Sequence, residues 1–182
     1  GTRGLSKSEA DLLAQRMPGV SIERYAGTAV QFLWLNTRAG PFKDVRVRQA
    51  ASKVINQQEV IDIAHEGAGF KGDFTGPAGL TWSLPEEVLK TIPAYRGPAD
   101  ADIAEAKRLM AQAGYADGFR AEWLLPDVAG YEFRLAVESK QLAKIGITVT
   151  AKVTRYPVEW VPALREGRFT WAEGPIPDVY YE

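Results

Sequence analysis

The feature that most limits what this chain can fold into is a change of hydrophobic period that repeats along its second half. Asp100 to Ala113 (DADIAEAKRLMAQA) places its apolar residues at helical spacing and stops at Gly114. Phe119 to Leu125 (FRAEWLL) reads as a strand. Tyr131 to Ile145 returns to helical spacing through Phe133, Leu135, Ala136, Leu142 and Ile145, and Gly146 ends it. Ile147 to Val153 (ITVTAKV) alternates as a strand, and Val158 to Arg165 reads as a helix behind Pro157. Arg168 to Trp171 starts a further strand, which Pro175 and Pro177 break. Elements in this order bury their apolar faces only by layering helices on a sheet. The expected fold class is therefore α/β, an α+β mixed sheet with flanking helices.

The first half supports the same architecture. Ser8 to Ala14 reads as a short helix stopped before Pro18-Gly19, and Val20 to Tyr25 alternates as a strand. Ala29 to Asn36 (AVQFLWLN) is apolar on both faces, as a central, doubly covered strand would be, with Phe32 and Trp34 on one side and Leu33 and Leu35 on the other. After the turn at Arg38 to Pro41, Asp44 caps a helix running to about Asn56, which in turn caps a second helix with Val60, Ile61, Ile63 and Ala64 apolar. Gly67 to Pro85 is rich in glycine and proline and reads as a long ordered loop, a kind of segment that often serves function. Glu105 and Arg108 are spaced to pair on one helix face.

Several functional classes fall away. Lys plus Arg number 22 and Asp plus Glu 23, a net charge of −1, so the basic excess of a nucleic-acid binder is absent. The densest basic stretch, Lys43, Arg46, Arg48 and Lys53, reads as a solvated helix face. With no cysteine there is no thiol catalysis, no Cys-ligated zinc and no iron–sulfur cluster. No apolar run approaches the roughly 20 residues that span a bilayer. Gly67 to Gly72 matches GxGxxG by letter, but a helix precedes it and prolines follow, which is the wrong context for a dinucleotide. His65 is the only histidine, Gly69 stands where a zinc-protease helix needs a second one, and no Gly-x-Ser-x-Gly elbow occurs. His65 reads as a solvated helix-end histidine stabilised by the helix dipole. Glu86-Glu87 and Asp100/Asp102 sit at helix starts, where the same dipole accounts for them. No catalytic residue, metal ligand or cofactor is assigned, and the chain does not read as an enzyme. Among the aromatics, Trp34, Trp123 and Trp160 read as core. Tyr131, Tyr156 and Trp171 read as lying at or just beyond strand carboxyl ends, the edge at which open α/β sheets dock ligands. The opening Gly1-Thr2-Arg3-Gly4 and the apolar close at Val179 to Glu182 make both ends read as cut.

A longer set of motifs resembles a known family. Phe32-Leu33-Trp34-Leu35-Asn36-Thr37, then Pro41 to Ala50 (PFKDVRVRQA) and Val54-Ile55-Asn56, is similar to the signature of the family 5 extracellular solute-binding proteins, the dipeptide- and oligopeptide-binding subunits of bacterial ABC importers. Asp102 to Phe119 resembles the family's "AKxLLxEAGYxxGF" stretch, Gln141 to Ile147 its "QLxxIGI" junction, and Glu166 to Phe169 its "GxFD" strand start, with Thr170 in place of the aspartate. The resemblance implies one lobe of a periplasmic-binding-protein type II fold. Residues 1–28 would be a lead-in from a missing first lobe, and 29–182 the C-terminal large lobe, truncated at its return to the first. It implies capture of a small solute (peptide, sugar or metal chelate) in a cleft shared with that missing lobe. The protein would be periplasmic, or extracytoplasmic and lipid-anchored, with ABC permease subunits as partners and no nucleic acid. A receptor-like relative without transport, or a small hydrolase, would be the alternatives.

The resemblance also assigns residues. Asn36-Thr37 and Asp44-Val45-Arg46 fill structural roles as turn and cap. The family's ammonium-holding aspartate falls at Glu173 when counted back from Pro177-Asp178, and at Gly174 when the tryptophans are aligned. The arginine that holds a dipeptide's carboxylate would fall near Ala129 and is absent, which disfavours a dipeptide. The family's cleft tryptophan aligns with Pro157, beside Tyr156. The implied set is Tyr131, Tyr156 and Trp171 to stack on or wall the solute, with Glu173 to attract a cation or hydrogen-bond donor.

Overall fold

The computed structural model describes residues 5–23, 32–73, 76–77, 83–128 and 130–174. Helix α1 (Lys7–Arg16) starts at Ser6 with a reciprocal cap: the Glu9 N–H donates to the Ser6 hydroxyl, and the Ser6 N–H donates to the Glu9 carboxylate. It buries only Ala10 and is tied down where the Ser8 N–H and hydroxyl donate to Glu66, at 2.8 and 2.9 Å. The strand expected from Val20 does not form over residues 20–23, and 24–25 lie outside the described residues. Strand β1 (Phe32–Leu35) is the described part of the AVQFLWLN segment.

A 3-10 turn at Pro41–Lys43 leads into α2 (Val45–Val54), capped as expected by Asp44, which accepts the Arg46 N–H at 2.8 Å. Asp44 also pairs with the Arg46 guanidinium, whose hydrogen bonds hold the Asp44 carboxyl down to about 2, and Arg48 donates to the Phe42 and Lys43 carbonyls. Half of the basic stretch is thus tied to its own chain rather than freely solvated. Helix α3 (Gln57–Ala64) begins at Asn56, whose side chain accepts from Gln58 and Glu59 N–H. The glycine-rich loop contains a small hairpin, β2 (Gly72–Asp73) and β3 (Gly76–Pro77). Then come α4 (Glu86–Leu89), α5 (Pro93–Arg96), α6 (Asp100–Gln112), β4 (Phe119–Pro126), α7 (Tyr131–Ala143), β5 (Ile147–Thr154), α8 (Trp160–Arg165) and β6 (Trp171–Gly174). Glu105 and Arg108 pair at 2.6 Å, as their spacing predicts.

The main sheet has the order β1-β6-β4-β5. β4 runs parallel to β5 and β6, and β1 runs antiparallel to β6. On one face Trp123, Leu125 and Trp171 meet Phe42, Val47 and Val54 from the α2 region, Met110 of α6 and Leu142 of α7. On the other, Leu124 and Ala172 meet Trp160 and Ala163 of α8, with Trp34 and Phe169 partly buried around them. β4 is covered on both faces, which is why Trp123-Leu124-Leu125 runs apolar without alternation. β1 does not hold the central place its sequence suggested: among the described residues it is an edge strand and half-buried throughout. Its two apolar faces arise because Leu33 and Leu35 serve the larger core and Trp34 the smaller.

Two boundaries move from their sequence positions. β6 opens at Trp171 rather than Arg168, because the Arg168 N–H closes the turn onto the Ala163 carbonyl and the Asn36 side chain donates to the carbonyls of Gly167 and Phe169. α8 opens at Trp160 because residues 156–159 form the turn that precedes it.

The "DGF" and "IGI" motifs meet at the start of the β4–β5 pair. Gly118 and Gly146 adopt φ of +75° and +82°, and a Cβ on Gly118 would lie 2.0 Å from the Gly146 carbonyl oxygen. That same carbonyl accepts the Phe119 N–H at 3.1 Å, so the contact is part of the ladder. Gly114 has φ of +85°, but a Cβ there would meet nothing within 4 Å. Alanine at either position carries a backbone penalty of about 1–2 kcal/mol. Gly118→Ala must also push the two strands apart. In thermal or urea unfolding, Gly118→Ala is expected to lose clearly more stability than Gly114→Ala; equal losses would contradict the close approach.

Candidate functional site

The connections of the sheet choose the site. β4 leads through α7 to β5 on one side, and the chain then returns over α8, on the opposite face, to β6 on the other side of β4. The carboxyl end of β4 therefore lies between two parallel neighbours whose connections run over opposite faces, the topological switch at which open α/β sheets form a crevice. Pro126-Asp127, Thr154 to Tyr156, Gly174 and the first turn of α7 meet there.

Tyr156 follows the end of β5 and is 37% exposed. Its backbone N–H donates to Asp127 at 2.7 Å, which fastens the loop after β5 to the loop after β4. Its ring lies 5.8 Å from that of Trp160, tilted by 51°. Tyr131 opens α7 behind Gly130, whose φ is +104°, and it is 8% exposed. Burial raises its phenol to about 12, with the Glu173 and Tyr156 charges adding to the rise, so it stays a neutral hydrogen-bonding group at physiological pH. The structure brings these two tyrosines to the carboxyl edge, where their sequence positions placed them.

Trp171 requires a correction. It is the first residue of β6, not the last, and it is 1% exposed. Its ring stacks on Trp123 at 4.9 Å and meets Phe42 edge-on at 5.0 Å. No face of it is available to a solute. The reason is the later start of β6, which moves Trp171 from the edge into the core.

Glu173 shares the parity of Trp171 and so points to the α7 face, where it is fully buried. The cation expected from a solute is supplied by the same chain: Arg134 Nη1 lies 2.9 Å from Glu173 Oε1, while Arg134 Nη2 donates to Glu138 at 2.7 Å. The contact with Glu173 is an ion pair without hydrogen-bond alignment. Neither oxygen of Glu173, nor Oε2 of Glu138, has a hydrogen-bond partner among the described residues. Two buried carboxyls thus share one guanidinium. Burial pushes both upward, Glu173 to about 8, outweighing the downward pull of Arg134, and for Glu173 the Glu138 charge adds to the rise. The sequence reading missed Arg134 and Glu138. The signal was present: they stand four apart on the stripe that carries Tyr131 and Leu142, where a charge has to be buried.

His65 also needs correcting. It ends α3 half-buried, and burial together with the Arg134 charge lowers its pKa, so it is neutral rather than a charged partner of the helix dipole. The position near Ala129 lies outside the described residues. Among the described residues, no group of three or more His, Asp or Glu could hold a metal ion.

The buried trio sets a pH dependence. Glu173 has a folded pKa above its unfolded value, so the native state holds a proton that the unfolded chain has released, and stability falls as pH rises toward 8. His65, lowered, acts in the opposite sense, but only below its unfolded value of 6.5. The clean window is therefore pH 6.5 to 8. There the melting temperature is expected to fall. Glu173→Gln should flatten the profile and raise it at pH 8. A wild-type profile that is flat across this window would contradict a Glu173 that keeps its proton when buried.

Residues 5–176 match the family described as "Bacterial extracellular solute-binding proteins, family 5 Middle". Heme-binding protein A of Haemophilus influenzae is 29% identical over 167 residues, covering 88% of this chain and 29% of the relative. Di/tripeptide-binding protein 1 of Pseudomonas aeruginosa is 31% identical over 162 residues, covering 86% and 28%. The chain thus spans about three-tenths of the length of these relatives. Among solved structures, the periplasmic binding protein DppA of Helicobacter pylori in complex with the peptide STSA superposes with a TM-score of 0.76 at 25% identity, over 95% of this chain and 31% of that one. The dipeptide-binding protein of a Pseudoalteromonas species in complex with Met-Leu has the same fold, with a TM-score of 0.76 at 21% identity, over 94% and 32%. The fold is a mixed α/β lobe of the type II periplasmic binding proteins, and the chain belongs to the family 5 extracellular solute-binding proteins.

Proposed function

We propose that this chain is one lobe of a solute-capture protein serving an ABC importer, and that it holds a peptide-like solute between the carboxyl edge of its sheet and a facing lobe outside this chain. Residues 29–182 would form the lobe proper and 1–28 its lead-in. The full protein would work outside the cytoplasmic membrane, periplasmic or lipid-anchored, and hand its solute to permease subunits. The observation that carries this reading is the convergence of Tyr131 and Tyr156 at the switch point beside β4. The peptide bound in the Helicobacter structure and the name of the Pseudomonas relative, a di/tripeptide-binding protein, support a peptide as the solute.

The implied residues then divide by burial. Tyr156 is the exposed wall, and Tyr131 is a neutral hydrogen-bonding group at its base. Trp171 and Glu173 support the edge from beneath. Function here is capture and release, with no bond made or broken.

A cleft shared by two lobes gives each about half of the contacts. A micromolar site is worth about −8 kcal/mol, and half of that corresponds to about −4 kcal/mol, a millimolar dissociation constant. Calorimetric titration of the 182-residue chain with tetra-alanine is expected to give millimolar affinity. A polypeptide of the relatives' full length should bind in the micromolar range. Micromolar binding by the chain alone would overturn the shared cleft, and a full-length protein that responds to a sugar or metal chelate but to no peptide would overturn the peptide assignment.

A further inference from the structure

We infer that this lobe selects its solute by aromatic stacking on Tyr156, and that Trp160 and Gly174 are the positioning residues that hold the tyrosine for it. The inference rests on the capture reading above and names the class of solute: a peptide carrying a planar aromatic side chain.

The argument starts at Gly174. A Cβ there would lie 2.2 Å from Trp160 Cζ2 and 2.7 Å from Cη2. The indole therefore packs directly on the β6 backbone, and only glycine permits it. Gly174 has no positive φ, so close approach alone requires the glycine. Trp160 is completely buried and lies against the ring of Tyr156. The Asp127 carboxylate accepts the Tyr156 backbone N–H. The chain of contacts Gly174–Trp160–Tyr156 thus sets both ends of one partly exposed aromatic residue. Pre-setting a ring in this way lowers the ordering cost of stacking on it.

The chemistry around the ring favours a planar partner that carries no negative charge. Arg155 is paired with Glu159, Lys152 with Glu122 and Arg168 with Glu166, while the exposed Asp127 carboxylate accepts the Tyr156 N–H. The exposed apolar groups beside Tyr156 are Val128, next to Asp127, and Val158, two residues on. A solute ring meeting Tyr156 gains an aromatic contact that an aliphatic side chain does not, worth about a fivefold change in affinity.

The test compares Ala-Phe-Ala with Ala-Ala-Ala on the 182-residue chain by NMR titration. The wild type should bind Ala-Phe-Ala about fivefold more tightly. Tyr156→Phe should keep that ratio and Tyr156→Leu should reduce it to near one. Gly174→Ala should also reduce the ratio, which a general loss of structure would not do, since that weakens both peptides alike. Where Gly174→Ala fails to fold, the exposed Tyr156→Leu decides. Equal affinities in the wild type, or a preference that survives Tyr156→Leu, would overturn this inference alone. Binding of neither peptide, on the chain or on a full-length protein, would overturn the peptide reading as well.

Discussion

The carboxyl edge depends on one register, set where Trp123 of β4 stands opposite Trp171 of β6 and the two indoles stack. Side chains alternate along a strand, so this pairing fixes the direction of everything that follows in β6. Trp171 and Glu173 turn toward α7; Ala172 and Gly174 turn toward α8. A slip by one residue would bring Glu173 against the Trp160 indole and Gly174 against Arg134, separating the buried carboxyl from its guanidinium. The stack is anchored in turn by Phe42, whose ring meets both Trp171 and Phe119 edge-on. The "PFKDVR" segment therefore does more than start a helix: its phenylalanine holds the sheet at the point where register matters.

Given that register, the edge separates two environments. Beneath it, Arg134, Glu138 and Glu173 form a buried polar cluster in which, among the described residues, both oxygens of Glu173 and one of Glu138 lack a hydrogen-bond partner. Such clusters cost desolvation that well-packed apolar residues would avoid, so they contribute little to stability in themselves. Their effect is on geometry, because a guanidinium held between α7 and β6 fixes how the helix that opens with Tyr131 sits on the strand. Above it, Tyr156 remains exposed and is held by a buried tryptophan and a backbone hydrogen bond. Tyr131 bridges the two, close enough to Glu173 and Tyr156 to feel the charge of each.

Much of the fold was legible because its signals are local. Asp44 and Asn56 were found as caps because short polar side chains that accept helix N–H groups are chemically marked, and α6, β4, α7 and β5 were found from their periods. The failures are non-local. AVQFLWLN reads as a central strand because apolar residues on both faces say how a strand is covered, not how many neighbours pair with it. Trp171 was placed at an edge because Asn36, 133 residues away from Phe169 in sequence, holds the preceding turn closed and delays the strand. The place of Tyr131 and Tyr156 at the carboxyl edge was legible from their position relative to strand ends. The partner of Glu173 was not, although an Arg–Glu pair on an apolar helix stripe is itself a signal that two charges will be buried together.

The same separation bears on how a lobe of this kind can be selective without being tight. The guanidinium of the trio is engaged inside the lobe and offers a solute no charge at this edge. Among the described residues the edge presents the Tyr156 ring, Val128 and Val158, with the Asp127 carboxylate beside them. Contacts of that kind are individually small and roughly additive with area, and they discriminate shape better than they supply free energy. On the capture reading proposed above, a protein that must also release its solute to a transporter would need that balance, with the larger part of the affinity arising only when a second surface closes over the first.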